Sequence, residues 1–224
     1  MVIGAPRSKS WALEAASGVL VTLPVFLQAP WVRVAPFSAT LFTVPLVAIG
    51  LALAHNPNPR MRDWGCLLVG FCGSWLGGCL FWGWCRLHPI WHLPLEAFVL
   101  PLALAGLGGR WRLACGFYLG SLIGTAATDG AIALTGVMPL WPQVLGASPS
   151  EAASFLQAAA LQLLQPTGLM VVGAFALGLS QLCRWLGGLG EVGRIAAAAL
   201  ATTLAVDGLF WLVALAAPKL SGLI

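Results

Sequence analysis

Charge is what this sequence has least of. Only 8% of its 224 residues are Asp, Glu, Lys or Arg, against roughly 25% in an ordinary soluble domain. So few charges cannot coat a water-soluble surface, and 59% of the chain is hydrophobic. With a membrane span needing about 20 mainly apolar residues, the length leaves no room for a separate soluble domain. The basic residues, which leave a formal charge of +4, occur singly or in pairs at the ends of apolar runs. There they set membrane topology, and nucleic acid is not an expected partner.

Catalytic signatures are missing too. There is no Gly-x-Ser-x-Gly elbow, no His-Glu-x-x-His, no phosphate-binding P-loop and no dinucleotide fingerprint, so soluble-type catalysis is not expected. The cysteines Cys66, Cys72, Cys79, Cys85, Cys115 and Cys183 form no CxxC pair. They read as small buried apolar residues, and no metal site is expected from them. No internal repeat is visible, which argues against the common repeat-built transporters. The first apolar stretch carries Glu14 and Pro24 and lacks a small-x-small cleavage site, so it reads as a retained span.

What is present is a series of apolar runs. They predict an all-α polytopic bundle, a single integral membrane domain over 1–224, with spans near 11–29, 37–54, 64–84, 92–108, 113–135, 166–183 and 194–217. Alternating these seven from a cytoplasmic N-terminus puts Arg7, Lys9, Arg60, Arg62, Arg110, Arg112, Arg184 and Arg194 inside. Only Arg33, Arg86 and Lys219 fall outside, the asymmetry of the positive-inside rule. Trp11, Trp31, Trp64, Trp84, Trp91, Trp111 and Trp185 sit near span ends as an aromatic belt would. The first and fourth spans are the weak points, since Pro24 in one and Pro94 and Pro101 in the other can divert them into re-entrant segments.

The long outer connection holds an eighth helix, expected near 149–164. Ser148 is a good N-cap, with Pro149 at the first helical position and Glu151 at the third. Phe155, Leu156, Ala159, Leu163 and Leu164 share one side, with Gln157, Gln162 and Gln165 on the wetter one. Such a helix lies on the membrane surface or covers the mouth of the bundle.

Candidate functional residues are the polar groups inside apolar runs. A carboxylate in hydrocarbon costs roughly 2.5 to 3.5 kcal/mol and needs a partner or water, which singles out Asp129 and Asp207. Thr125 and Thr203 each stand four residues earlier, on the same helix face, where a hydroxyl can serve the acid or a bound proton or cation. Small residues recur at helix-packing spacing in Gly116, Gly120 and Gly124 and in Gly73 and Gly77. They serve internal packing or docking to other membrane subunits. The stretch 85–92 places Arg86, His88 and His92 in an outer loop, with Glu96 close behind. Histidine titrates near neutral pH and ligates metals, but two histidines without a third ligand make no metal site.

The run Phe26-Leu27-Gln28-Ala29-Pro30-Trp31-Val32-Arg33, continued by Pro36-Phe37-Ser38-Ala39-Thr40 and by Thr135-Gly136-Val137-Met138-Pro139-Leu140-Trp141-Pro142, resembles an uncharacterised family of cyanobacterial polytopic membrane proteins. The resemblance implies a plasma or thylakoid membrane of an oxygenic phototroph and carries over no catalytic residue and no cofactor. The residues themselves favour a small permease or a substrate-binding component of a transporter, in which Asp129 and Asp207 bind a proton or cation beside Thr125 and Thr203. An accessory or assembly subunit of a larger, photosynthetic complex is the alternative. A lipid- or isoprenoid-active enzyme built on Arg86, His88, His92 and Glu96 is the third reading.

Overall fold

A computed structural model describes residues 8–221; Arg7 lies outside them. Among the described residues there is no strand. Seven helices among these residues are long and apolar enough to cross a membrane: Trp11–Val34, Pro36–Ala54, Pro59–Cys85, Pro89–Gly106, Arg112–Leu134, Pro166–Gly187 and Glu191–Ala216. The chain is thus an all-α polytopic bundle.

Both doubtful spans qualify, and each is irregular where its prolines make it so. Pro24 has no N–H for the carbonyl one turn back, and the first span widens into a π turn at Pro24–Gln28. It then resumes as Ala29–Val34, well past the predicted end at 29. The loop expected before the second span is absent. Ala35 alone breaks the helix, at φ −145° and ψ 71°, because a residue before proline is driven out of the helical region. Trp31 Nε1 donates to Ser38 Oγ at 2.9 Å across this corner. In the fourth span, 3₁₀ turns at Pro89–Trp91 and Ala97–Val99 flank the helix His92–Glu96, and Leu100–Gly106 completes the crossing. Pro101 cannot donate to the Ala97 carbonyl, so the regular ladder fails there.

Glycine seams hold the bundle together. A Cβ at Gly65 would lie 2.2 Å from the Ala54 nitrogen, one at Gly70 2.4 Å from the Ala114 carbonyl oxygen and one at Gly120 2.4 Å from that of Ala196. Backbone therefore meets backbone between spans two and three, three and five, and five and seven. Gly116 and Gly124 extend the last seam against Val192 and Thr203, while Gly73 and Gly77 face Tyr118 and Glu96. Both stripes are filled by neighbouring spans of this chain, as internal packing requires. Span one joins span seven through Ser17 Oγ, which donates to the Ile195 carbonyl at 2.9 Å. The third span is the most buried and the sixth lies at the edge.

The two ends of the bundle differ in charge. One gathers Glu14 with Arg194 at 2.8 Å and Arg110 with the Ala54 carbonyl at 3.2 Å. It also holds the span ends that carry Arg60, Arg62, Arg112 and Arg184. The other end brings Trp141 to Arg86 and Trp211 to Ala160 and holds few basic residues. The asymmetry is the one the positive-inside rule associates with a cytoplasmic first end.

The helix Pro149–Leu163 crosses the second end. The Ser148 hydroxyl and N–H both donate to Glu151 Oε2, at 2.6 and 3.1 Å, and hold that carboxyl below its usual range. Its packed side differs from the predicted one. Ala152, Ala153 and Ala160 are buried while Leu164 is exposed, because alanine lets the helix lie close on the seventh span. Trp211 Nε1 donates to the Ala160 carbonyl at 3.0 Å, and Gln162, expected on the wet side, donates to the Thr135 carbonyl at 2.8 Å.

Candidate functional site

Two pairs of polar residues, each one helical turn apart, face each other between the fourth and fifth spans. His92 and Glu96 stand on one, Asp129 and Thr125 on the other. The spans run antiparallel, so the pairs meet in register. His92 Nδ1 lies 2.9 Å from Asp129 Oδ1, and Thr125 Oγ1 donates to Glu96 Oε2 at 2.8 Å. His92 Nε2 lies 3.3 Å from Glu96 Oε1. The three charged side chains keep only 13–15% of their surface exposed. An ionised carboxylate can only accept, so with both acids ionised each ring nitrogen must carry a proton. The geometry is that of an imidazolium bridging two carboxylates.

Aromatic rings close one side. The Phe81 ring lies 4.3 Å from the imidazole at 32°, with Trp141 at 6.0 Å and Trp82 at 6.4 Å. Phe81 and Trp82 come from a π turn, Phe81–Cys85, at the end of the third span. Such wide turns recur at functional sites. Trp141, from the outer connection, stacks on Trp82 at 5.5 Å and donates through Nε1 to the Arg86 carbonyl at 2.8 Å.

The break in the fourth span is sealed by Tyr118, the chain's single tyrosine. Its hydroxyl accepts from the Val99 N–H at 3.2 Å and donates to the Glu96 carbonyl. Tyr118→Phe strands both backbone groups, at a cost of about 1–3 kcal/mol. The midpoint of thermal unfolding in detergent, followed by tryptophan fluorescence, is expected to fall; an unchanged midpoint would contradict the role. Gly77 allows the approach of this segment, since a Cβ there would lie 2.9 Å from Glu96 Cα.

A third acid, Asp207 of the seventh span, meets the neighbouring face of the fifth. Thr128 Oγ1 lies 2.6 Å from Asp207 Oδ2 and 3.1 Å from the Gly124 carbonyl oxygen. With Asp207 ionised the Thr128 hydroxyl shares one proton between two acceptors, whereas a protonated Asp207 would donate to Thr128 and leave that proton to Gly124.

The expected partnerships are thereby changed. Thr125 and Asp129 do share a face, but the Thr125 hydroxyl goes to Glu96. Thr203 returns its hydroxyl to the Ala199 carbonyl at 3.2 Å, and the acid-binding hydroxyl beside Asp207 is Thr128. Thr203 also fills the notch at Gly124. His92, expected in an outer loop, opens a helical segment within the fourth span. Glu96 belongs to the cluster as fully as Asp129. Arg86 donates to the Trp82 carbonyl at 3.4 Å and His88 is exposed, so neither joins it. Tyr118, Phe81 and Trp141 were not singled out by their spacing. A lone tyrosine inside an apolar span was the one signal available. Among the described residues, no three His, Cys, Asp or Glu are grouped to hold a metal ion.

Residues 17–215 match the family described as Protein of unknown function (DUF3120), and the chain belongs to that family. No curated protein and no solved structure matches it.

Proposed function

We propose that this member of the DUF3120 family is a small permease, or the substrate-binding component of a transporter, coupled to a proton or cation bound at the His92–Glu96–Asp129–Asp207 cluster. One observation carries the reading. Two carboxylates, Glu96 and Asp129, flank a single imidazole, a third, Asp207, meets Thr128 on the next face of the fifth span, and among the described residues no Lys or Arg is paired with any of them. Fully ionised, the cluster has two more negative than positive charges, in surroundings where uncompensated charge is expensive. It takes up a positive charge instead. The fourth span adds support, since interrupted helices mark ion and substrate sites in transporters, and the Trp141 segment with the helix Pro149–Leu163 covers the outer end. The membrane is the plasma or thylakoid membrane of an oxygenic phototroph.

The test is flux in proteoliposomes loaded with a pH-sensitive dye, under an imposed proton gradient. The panel is monovalent and divalent cations, amino acids and organic acids. The parent is expected to move protons with at least one of them, and Asp129→Asn and Glu96→Gln each to slow that flux about tenfold, the effect of losing about 1.4 kcal/mol of ion binding. Unaltered flux in both variants would overturn the reading.

A further inference from the structure

At the arginine-rich end, the turn joining spans two and three and the turn entering span five enclose a cleft of about 660 Å³. Its charged lining is Arg62, Arg110, Arg112 and Asp63, with His55 beside them. Three guanidiniums against one carboxylate leave a surplus of two positive charges. Arg110 is held in place: its Nη2 donates to the Ala54 carbonyl at 3.2 Å, and its guanidinium carbon lies 5.0 Å from the Trp111 ring centre. Arg62 and Arg112 are exposed, and among the described residues their guanidiniums make no hydrogen bond or ion pair. His55 turns Nδ1 to the Leu51 carbonyl at 2.8 Å, which leaves Nε2 outward.

We infer that this cleft binds a phosphate group, carried as the phosphodiester of an anionic lipid headgroup or as free inorganic phosphate. Guanidinium forks match phosphate oxygens in geometry and charge. Basic pockets between transmembrane helices at the cytoplasmic face bind anionic headgroups, and the cleft has the volume of an ordinary ligand site. This site lies at the opposite end of the bundle from the carboxylate cluster and is independent of it. One role for an occupant is to tie the two turns, and with them spans two, three and five, to the membrane surface.

The experiment uses the full chain in detergent. Native mass spectrometry measures occupancy by phosphatidylglycerol and by phosphatidylcholine, and a thermal-shift titration measures binding of inorganic phosphate. The parent is expected to prefer phosphatidylglycerol. Arg62→Gln with Arg112→Gln should weaken that binding about 30-fold, because each basic residue near an anionic surface contributes about fivefold. Asp63→Asn, which removes the one carboxylate, should tighten it. Both arginines are exposed and make no hydrogen bond or ion pair among the described residues, so the double variant keeps its fold, checked by gel filtration; Asp63→Asn tests the same point by a gain. Displacement of lipid by inorganic phosphate would identify free phosphate as the ligand, and retention of lipid would identify the headgroup. The inference is overturned if neither phosphatidylglycerol preference nor phosphate binding responds to any of the three substitutions.

Discussion

Gly120→Val is expected to leave almost no folded protein. A Cβ at this position would lie 2.4 Å from the Ala196 carbonyl oxygen and 2.7 Å from Ala196 Cα. Both are backbone atoms of the seventh span, and no rotamer change relieves them. The spans would have to separate by about 1 Å to restore ordinary contact. Gly116, packed against Val192, and Gly124, packed against Thr203, lie one turn to either side and would lose their contacts as well. In a bilayer, helices are held by close packing rather than by hydrophobic exclusion between them, so this seam has no substitute. Overpacking of a core typically costs about 1–3 kcal/mol, and more where backbone is struck; total stabilities are only about 5–15 kcal/mol. Gly178 supplies the control, since nothing lies within 4 Å of a Cβ there. Gly178→Ala should be neutral or raise stability by up to about 1 kcal/mol, the gain of replacing a mid-helix glycine. Fluorescence-detected gel filtration of a fusion protein reads both. A sharp parent-like peak for Gly120→Val would refute the seam.

The second large effect is at His92. Alanine there removes the donor shared by Glu96 and Asp129 and leaves two carboxylates in one poorly solvated gap. Breaking a buried pair by removing one partner costs about 3–5 kcal/mol, and proton-linked flux should fall to background. Packing and ion binding separate in the triple variant His92→Ala, Glu96→Gln, Asp129→Asn. Neutralising the stranded acids should restore much of the thermal stability, whereas flux should stay absent. A purely structural imidazole predicts the reverse, with flux returning as the fold is repaired. Unfolding midpoints and proteoliposome flux on the same preparations decide between them.

The residues of this site stand out along the chain, but their pairing depends on register. Thr125 and Asp129 are visibly spaced to share a helix face, and they do. Which span that face meets depends on the rotation of the fifth helix, which is fixed by the glycine seam on its other side, not by the acid. Four residues of helix rise about 6 Å, so Thr125 and Asp129 contact residues that are themselves one turn apart, Glu96 and His92, on an antiparallel neighbour. Similarly, Gly120 meeting Ala196 places Thr128, two turns further along, against Asp207, while Thr203 is used up beside Gly124.

What the sequence determined by itself was everything that depends on neighbours along the chain: the number of spans from run length, the charge asymmetry of their ends, the Ser148–Glu151 cap from turn chemistry, and the glycine seams from spacing. Tertiary structure alone decided the partners. His92 and Asp129 are 37 residues apart, and Thr128 and Asp207 are 79 apart. Hydrophobic pattern places a helix in the membrane without setting its rotation about its axis or its height against a neighbour, and those two quantities choose which polar side chains meet.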